Sequence, residues 1–136
     1  MPPIKLTDKE RAMLLGTATA ALQNSYAPYS NFHVGAALLT ETGHLFTGCN
    51  VENASYGLTI CAERAAIFNA VHQTKGKLVL RALAVVNGNQ VPCSPCGACR
   101  QVIAEFGQNT VIIFRGQTDY VEMSIADALP QSFRLF

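Results

Sequence analysis

The chain predicts a three-layer α/β sandwich built on about five strands, and three observations carry that reading. Two short apolar segments flank a tight connection, and helix, strand, helix and strand then follow in turn, the alternation of packed α/β layers. The 136 residues are enough for one domain, spanning 1–136, with a real core. Hydrophobic residues make up 49% of the chain and charged ones only 14%, against roughly a quarter charged in typical soluble domains. A well-buried sheet gives that bias, and so does apolar surface covered by another subunit. Strand order is not legible at this level.

Each element has its own signal. "LTDKERAMLLGTATAALQNSY" opens on Thr7 with Glu10 three residues later, a capping-box pattern, and Met13, Leu14, Ala18, Ala21 and Leu22 recur at helical spacing. "YAPYSNF" breaks the helix at Pro28 and reads as a loop. "HVGAALLT" and "HLFTGCNV" read as a strand pair joined through Glu41-Thr42-Gly43. The loop "NVENASYGLT" leads to a helix that begins near Cys61 and runs to about His72. After "TKGK", "LRALAVVN" reads as a buried strand. "SPCGACRQVIAEF" reads as a second helix with Ser94 as N-cap and Pro95 at its first position. "TVIIF" is another buried strand, and "YVEMSIADAL" a short strand running into a short helix that Pro130 stops.

Charge and composition weigh against several function classes. A formal net charge of +1 provides no basic stripe for a nucleic-acid polymer. No stretch approaches the roughly 20 apolar residues that span a bilayer, and "MPPIKLTDKE" has no signal-peptide pattern. A cytoplasmic protein acting away from membranes is the expectation. Five cysteines, Cys49, Cys61, Cys93, Cys96 and Cys99, then point to metal or catalysis before disulfides.

"TICAERAA" raises the chemical question, because a helix about to enter the core begins with Cys61, Glu63 and Arg64. Buried charges are rare unless paired or used. In "PCSPCGACRQ", Pro95 sets Cys93 apart from the helix, whereas Cys96 and Cys99 lie three apart and share a face. Their thiolates can meet one ion, with Cys61 as third ligand. Zinc in catalytic sites takes three protein ligands and a water. Helix N-termini favour thiolates, and Arg64 is placed to offset the remaining negative charge. Glu63, two residues beyond Cys61, reaches the water as a proton shuttle without ligating the metal. A closed structural site is the competing reading; it would take Cys93 or a distant His as fourth ligand and leave Glu63 without a role. Cys49 and Cys93 otherwise read as structural thiols, and His33, His44 and His72 as surface or loop residues.

"CAER" followed by "PCGACRQ" resembles the zinc-dependent cytidine deaminases, with Cys61 where the polynucleotide-acting relatives carry His. The resemblance extends from "YAPYSNFHVGAALLT" through "GCNVENASY" to "LPQSF". It implies a three-layer α/β/α fold on a mixed sheet of about five strands, and one Zn²⁺ per subunit held by Cys61, Cys96 and Cys99. It implies hydrolytic deamination of cytidine and deoxycytidine in pyrimidine salvage, with Glu63 moving protons. Asn50 and Glu52 match residues that bind ribose hydroxyls, Phe32 an aromatic packed on the substrate, and the Ala62 backbone a base-reading position. Phe133 matches a C-terminal aromatic that homotetramers insert into a neighbour's site, and Tyr56 lies in another intersubunit contact; Phe136 is a second aromatic for the tail role. A deaminase of a modified nucleoside (blasticidin-S-type) and a noncatalytic zinc module are the rival readings. The Asn50-x-Glu52 pair favours an ordinary ribose.

Overall fold

Thr7 starts the first helix through a reciprocal pair of hydrogen bonds. Its Oγ1 accepts from the Glu10 N–H at 3.0 Å, and the Glu10 carboxylate accepts from the Thr7 N–H at 2.9 Å. That is the capping box expected from the sequence. The computed structural model describes residues 4–135, so Phe136 lies outside the described residues. The capped helix, α1, runs Asp8–Ala21 and buries Leu14, Ala18 and Ala21. The remaining strands and α-helices are β1 (Val34–Thr40), β2 (Leu45–Cys49), α2 (Ala62–Gln73), β3 (Leu80–Asn87), α3 (Gly97–Phe106), β4 (Val111–Arg115), β5 (Tyr120–Ser124) and α4 (Ile125–Ala128), with single 3-10 turns at Leu22–Asn24 and Tyr56–Leu58. Among the described residues, no helix is long and apolar enough to cross a membrane.

The five strands form one sheet in the order β2-β1-β3-β4-β5. Only β3 and β4 run parallel; the other neighbouring pairs are antiparallel. A parallel pair needs a crossover, and α3 supplies it. Alternation along β1 separates the layers, since successive side chains point to opposite faces. Ala36 and Leu38 join Ala62, Ala66, Ile67, Ile103 and Ile125 under α2, α3 and α4. Ala37 and Leu39 join Leu14 and Ala18 of α1 on the other side. The result is the expected α/β/α sandwich on a mixed sheet.

Two glycines set how closely the helices approach. A Cβ on Gly35 would fall 2.1 Å from the Ala18 carbonyl oxygen of α1. On Gly48 it would fall 2.3 Å from the Ala66 nitrogen and 2.8 Å from the Ala62 carbonyl oxygen of α2. The α2 backbone therefore rests directly on β2, which fixes the height of its first turn.

One boundary differs from the expectation. Cys96, extended at φ −66° and ψ 168°, is the N-cap of α3, and the helix begins at Gly97. Ser94 does not cap it; its Oγ instead accepts from Arg100 Nη2 at 3.1 Å. Pro95 is buried ahead of the helix, where its carbonyl accepts from Arg100 Nε at 2.7 Å. The arginine draws the Ser94–Pro95 turn off the helix axis.

Gly48→Ala should destabilise the fold by about 1–3 kcal/mol, as overpacking does where backbone is the obstacle. Nothing lies within 4 Å of a Cβ at Gly16 in α1, so Gly16→Ala should be stabilising by about 0.5–1 kcal/mol. Chemical-denaturation midpoints of the two variants, moving in opposite directions, check the argument.

Candidate active site

Two helix N-termini meet at one point. Cys61 is the N-cap of α2 and Cys96 the N-cap of α3, both extended and neither spending its side chain on a cap hydrogen bond. Cys99, in the first turn of α3, is buried. The three Sγ atoms lie within 4.8 Å of one another, and Cys61 and Cys96 are 4.0 Å apart. An ion bound tetrahedrally at about 2.3 Å from each sulfur would hold them ~3.8 Å apart. The spacing and the soft donors fit zinc. Cys49 and Cys93 are outside this cluster.

The charges around the sulfurs are arranged asymmetrically. The Cys61 thiol is held down to about 5, first by its hydrogen bond with Cys99 and then by Arg64, whose Nη2 donates to its sulfur at 3.4 Å. The same Cys61–Cys99 bond, with burial, pushes Cys99 up. Arg64 Nε is buried without a hydrogen-bond partner among the described residues, so the guanidinium is turned toward the sulfurs at the cost of one unsatisfied donor. Such a cation and two helix termini can stabilise three thiolates.

Glu63 occupies the second position of α2 and is only 5% exposed. Burial pushes its carboxyl up to about 7, and the negative Cys61 adds to the rise. A carboxyl with a midpoint near neutrality beside such a sulfur cluster is suited to taking and returning a proton. The question posed by "TICAERAA" thus has a geometric answer. Ala62, Ala66, Ile67 and Ala70 face the core, while Cys61, Glu63 and Arg64 belong to the cluster at the helix start.

The other sequence-selected residues separate into two groups. Asn50 is buried, with Oδ1 accepting from the Val34 N–H at 2.9 Å and Nδ2 donating to the Phe32 carbonyl at 2.7 Å. It ties the start of β1 to Phe32, whose ring packs on the α2–α4 side of the core. Glu52 accepts from the Tyr29 and Ser30 N–H groups at 2.9 and 3.1 Å and from the Ser30 hydroxyl. It lines an open groove of about 400 Å³ with Tyr29, Ser30, Tyr56 and Thr59. Tyr56 and Phe133 form the second group, 75% and 70% exposed, with most of their surface left uncovered by their own chain. The Tyr56 ring meets that of Tyr29 edge-on, at a centroid distance of 6.2 Å.

Sequence reasoning missed several residues. Tyr29 and Ser30, read only as loop, supply every protein partner of Glu52 named above. Cys93, read as a structural thiol, stays outside the three-sulfur cluster, and burial pushes its thiol up. Arg100 shapes the turn before Cys96. Its position directly after Cys99 was the one signal available.

Comparison with known proteins agrees with this geometry. The family model described as the cytidine and deoxycytidylate deaminase zinc-binding region matches residues 7–115. A cytidine deaminase of Sporosarcina psychrophila is 48% identical over 122 residues, 88% of each chain. One from Mycobacterium tuberculosis is 45% identical over 130 residues, 96% of this chain and 94% of its own. The crystal structure of cytidine deaminase from Burkholderia pseudomallei superimposes with a TM-score of 0.82 at 46% identity, covering 94% of this chain and all (100%) of the other. With the motif, the cluster and the fold in agreement, the chain belongs to the zinc-binding cytidine and deoxycytidylate deaminase family.

Proposed function

We propose that the chain, as one domain over residues 1–136, hydrolyses cytidine and deoxycytidine to uridine and deoxyuridine with release of ammonia, in pyrimidine salvage in the cytoplasm. The observation that carries the reading is geometric: Glu63, a buried carboxyl, lies two residues after Cys61 at the start of the helix that Cys61 caps, with Cys61, Cys96 and Cys99 gathered at that point. Relatives bearing the name cytidine deaminase over most of the chain support the substrate.

Cys61, Cys96 and Cys99 would hold one Zn²⁺, which in such an open site supplies a water acidified toward neutrality as nucleophile. Glu63 does the proton work. Its carboxylate takes a proton from the attacking water and passes it to N3 of the pyrimidine. A second proton goes to the exocyclic amino group as the C4–N bond breaks, and the water oxygen remains on C4. Burial keeps Glu63 close to neutral pH in both directions of this transfer. Arg64 balances the thiolates, so that the cluster does not retain so much negative charge that it fails to polarise water.

Asn50 and Glu52 bind the ribose. The Asn50 amide keeps one Nδ2 hydrogen and one Oδ1 lone pair after its two backbone bonds, enough to bind a hydroxyl. Glu52, with three of roughly four acceptor sites filled, retains one for a ribose hydroxyl. Phe32 packs against the pyrimidine and the Ala62 backbone reads its edge. Exposed Phe133 completes the site of a neighbouring subunit in a homotetramer and Tyr56 lies in another intersubunit contact, an assembly that also accounts for the low charge of the chain.

Glu63→Gln should retain zinc and fold while losing more than the ~10²–10⁴-fold in turnover typical of general acid–base groups. Near-normal ammonia release from cytidine by the zinc-loaded variant would overturn the mechanism. Arg64→Gln should slow kcat with zinc content unchanged; a variant at the parental rate removes the charge-balancing role. Phe133→Ala should raise KM and loosen the assembly by up to about 3–5 kcal/mol per buried ring. Mixing it with Glu63→Gln should restore activity, because intact Glu63 sites then receive Phe133 from their partners. Mixed assemblies that recover nothing would show that the ring acts within its own subunit.

A further inference from the structure

Immediately after Cys99 come two side chains that both reach the C-terminal segment. The Arg100 guanidinium donates to the Pro95 carbonyl at 2.7 Å, to Ser94 Oγ at 3.1 Å and to the Ala128 carbonyl at 3.2 Å. Two of these bonds hold the turn that precedes Cys96, and the third holds the last residue of α4. Gln101 Nε2 then donates to the Phe133 carbonyl at 3.1 Å. Beyond α4 the segment Pro130–Leu135 has no helix or strand of its own, and the Phe133 ring stays 70% exposed while its carbonyl is held. The tail is thus anchored by its backbone with its aromatic side chain free to be offered elsewhere.

We propose that Arg100 and Gln101 are positioning residues that couple the three-sulfur cluster to the tail, so that metal binding and tail docking favour one another. This rests on the reading that Cys61, Cys96 and Cys99 hold zinc. A metal fixes Cys96 and Cys99 relative to one another and so fixes the Ser94–Pro95–Cys96 turn between α3 and its approach. A planar guanidinium satisfied at three fixed acceptors is pre-organised. With the turn in place, Arg100 Nη1 stands over Ala128 and Gln101 over Phe133. When the turn relaxes, the fork loses two of its three acceptors and the grip on the tail weakens. Linkage makes the effect reciprocal, so whatever factor zinc contributes to docking, docking contributes to zinc affinity. A subunit would then hold out its ring to a neighbour only when its own site is loaded.

The Phe133–Arg134 bond is itself the probe, since its carbonyl is the one that Gln101 holds and chymotrypsin must free it to cut. Release of the 134–136 tripeptide is followed by mass spectrometry on the full chain, with zinc and after its removal by a chelator, in fractions of matched assembly state. Zinc removal should speed this cleavage about tenfold, the scale of one or two charge-assisted bonds. Gln101→Leu should speed it in the zinc-loaded protein and weaken zinc retention in chelator competition. In Arg100→Met the cleavage should be fast with or without zinc, and Arg100→Lys, which cannot bridge three acceptors, serves if the methionine variant does not fold. An unchanged rate on zinc removal, or a zinc effect undiminished in the Arg100 variants, overturns the coupling. A parent chain that binds no zinc defeats the metal reading and the coupling together, whereas a zinc-loaded chain whose tail ignores the metal defeats the coupling alone.

Discussion

Bringing three sulfurs within 4.8 Å of one another requires two helices to begin at the same place, and most of the fold serves that requirement. One helix is set by the bare backbone contact at Gly48, where a single methyl group would displace α2. The other is set by the parallel pairing of β3 with β4, which obliges α3 to cross over the same face of the sheet. The α1 layer closes the opposite face and contributes no residue to the sulfur cluster. The sandwich is therefore functionally one-sided.

Convergence of helix N-termini also determines the electrostatics. Their unsatisfied N–H groups favour anions, so thiolates gather there at little cost. Arg64 adds a side-chain cation that bonds the cluster, at 3.4 Å from the Cys61 sulfur. At Glu63 burial outweighs the lowering pull of Arg64 and raises the midpoint, where the thiol of Cys61, two residues earlier, is lowered. Residues two apart at one helix start are thereby driven in opposite directions, the thiol toward the charged form that a metal ligand needs and the carboxyl toward the midpoint that a proton carrier needs.

Local signals were readable and long-range ones were not. Thr7 and Glu10 specify a cap within four residues, and Ala36 to Leu39 alternate as a strand buried on both faces must. The thiol pattern gave one pair of the cluster, because an N-cap residue and the third residue of its helix lie about one turn apart and so Cys96 falls near Cys99. Ser94 misled, since a good capping residue before proline has its oxygen taken by Arg100, six positions further on. Glu52 is picked out by the resemblance alone, because its donors Tyr29 and Ser30 lie more than twenty residues earlier in the chain. Strand order, which depends on packing of both faces at once, has no local signature.

Asn50 does two things at once, and that has an evolutionary cost. Its amide secures the first N–H of β1 and the Phe32 carbonyl, inside the protein and shielded from solvent. On the proposed reading the same amide also recognises the sugar. Any change there disturbs the scaffold before it alters recognition, whereas Glu52 sits on a loop whose partners are exposed. Drift in sugar preference, natural or engineered, has its open route through Glu52 and the Tyr29–Ser30 loop, with Asn50 as the fixed point about which such variation turns.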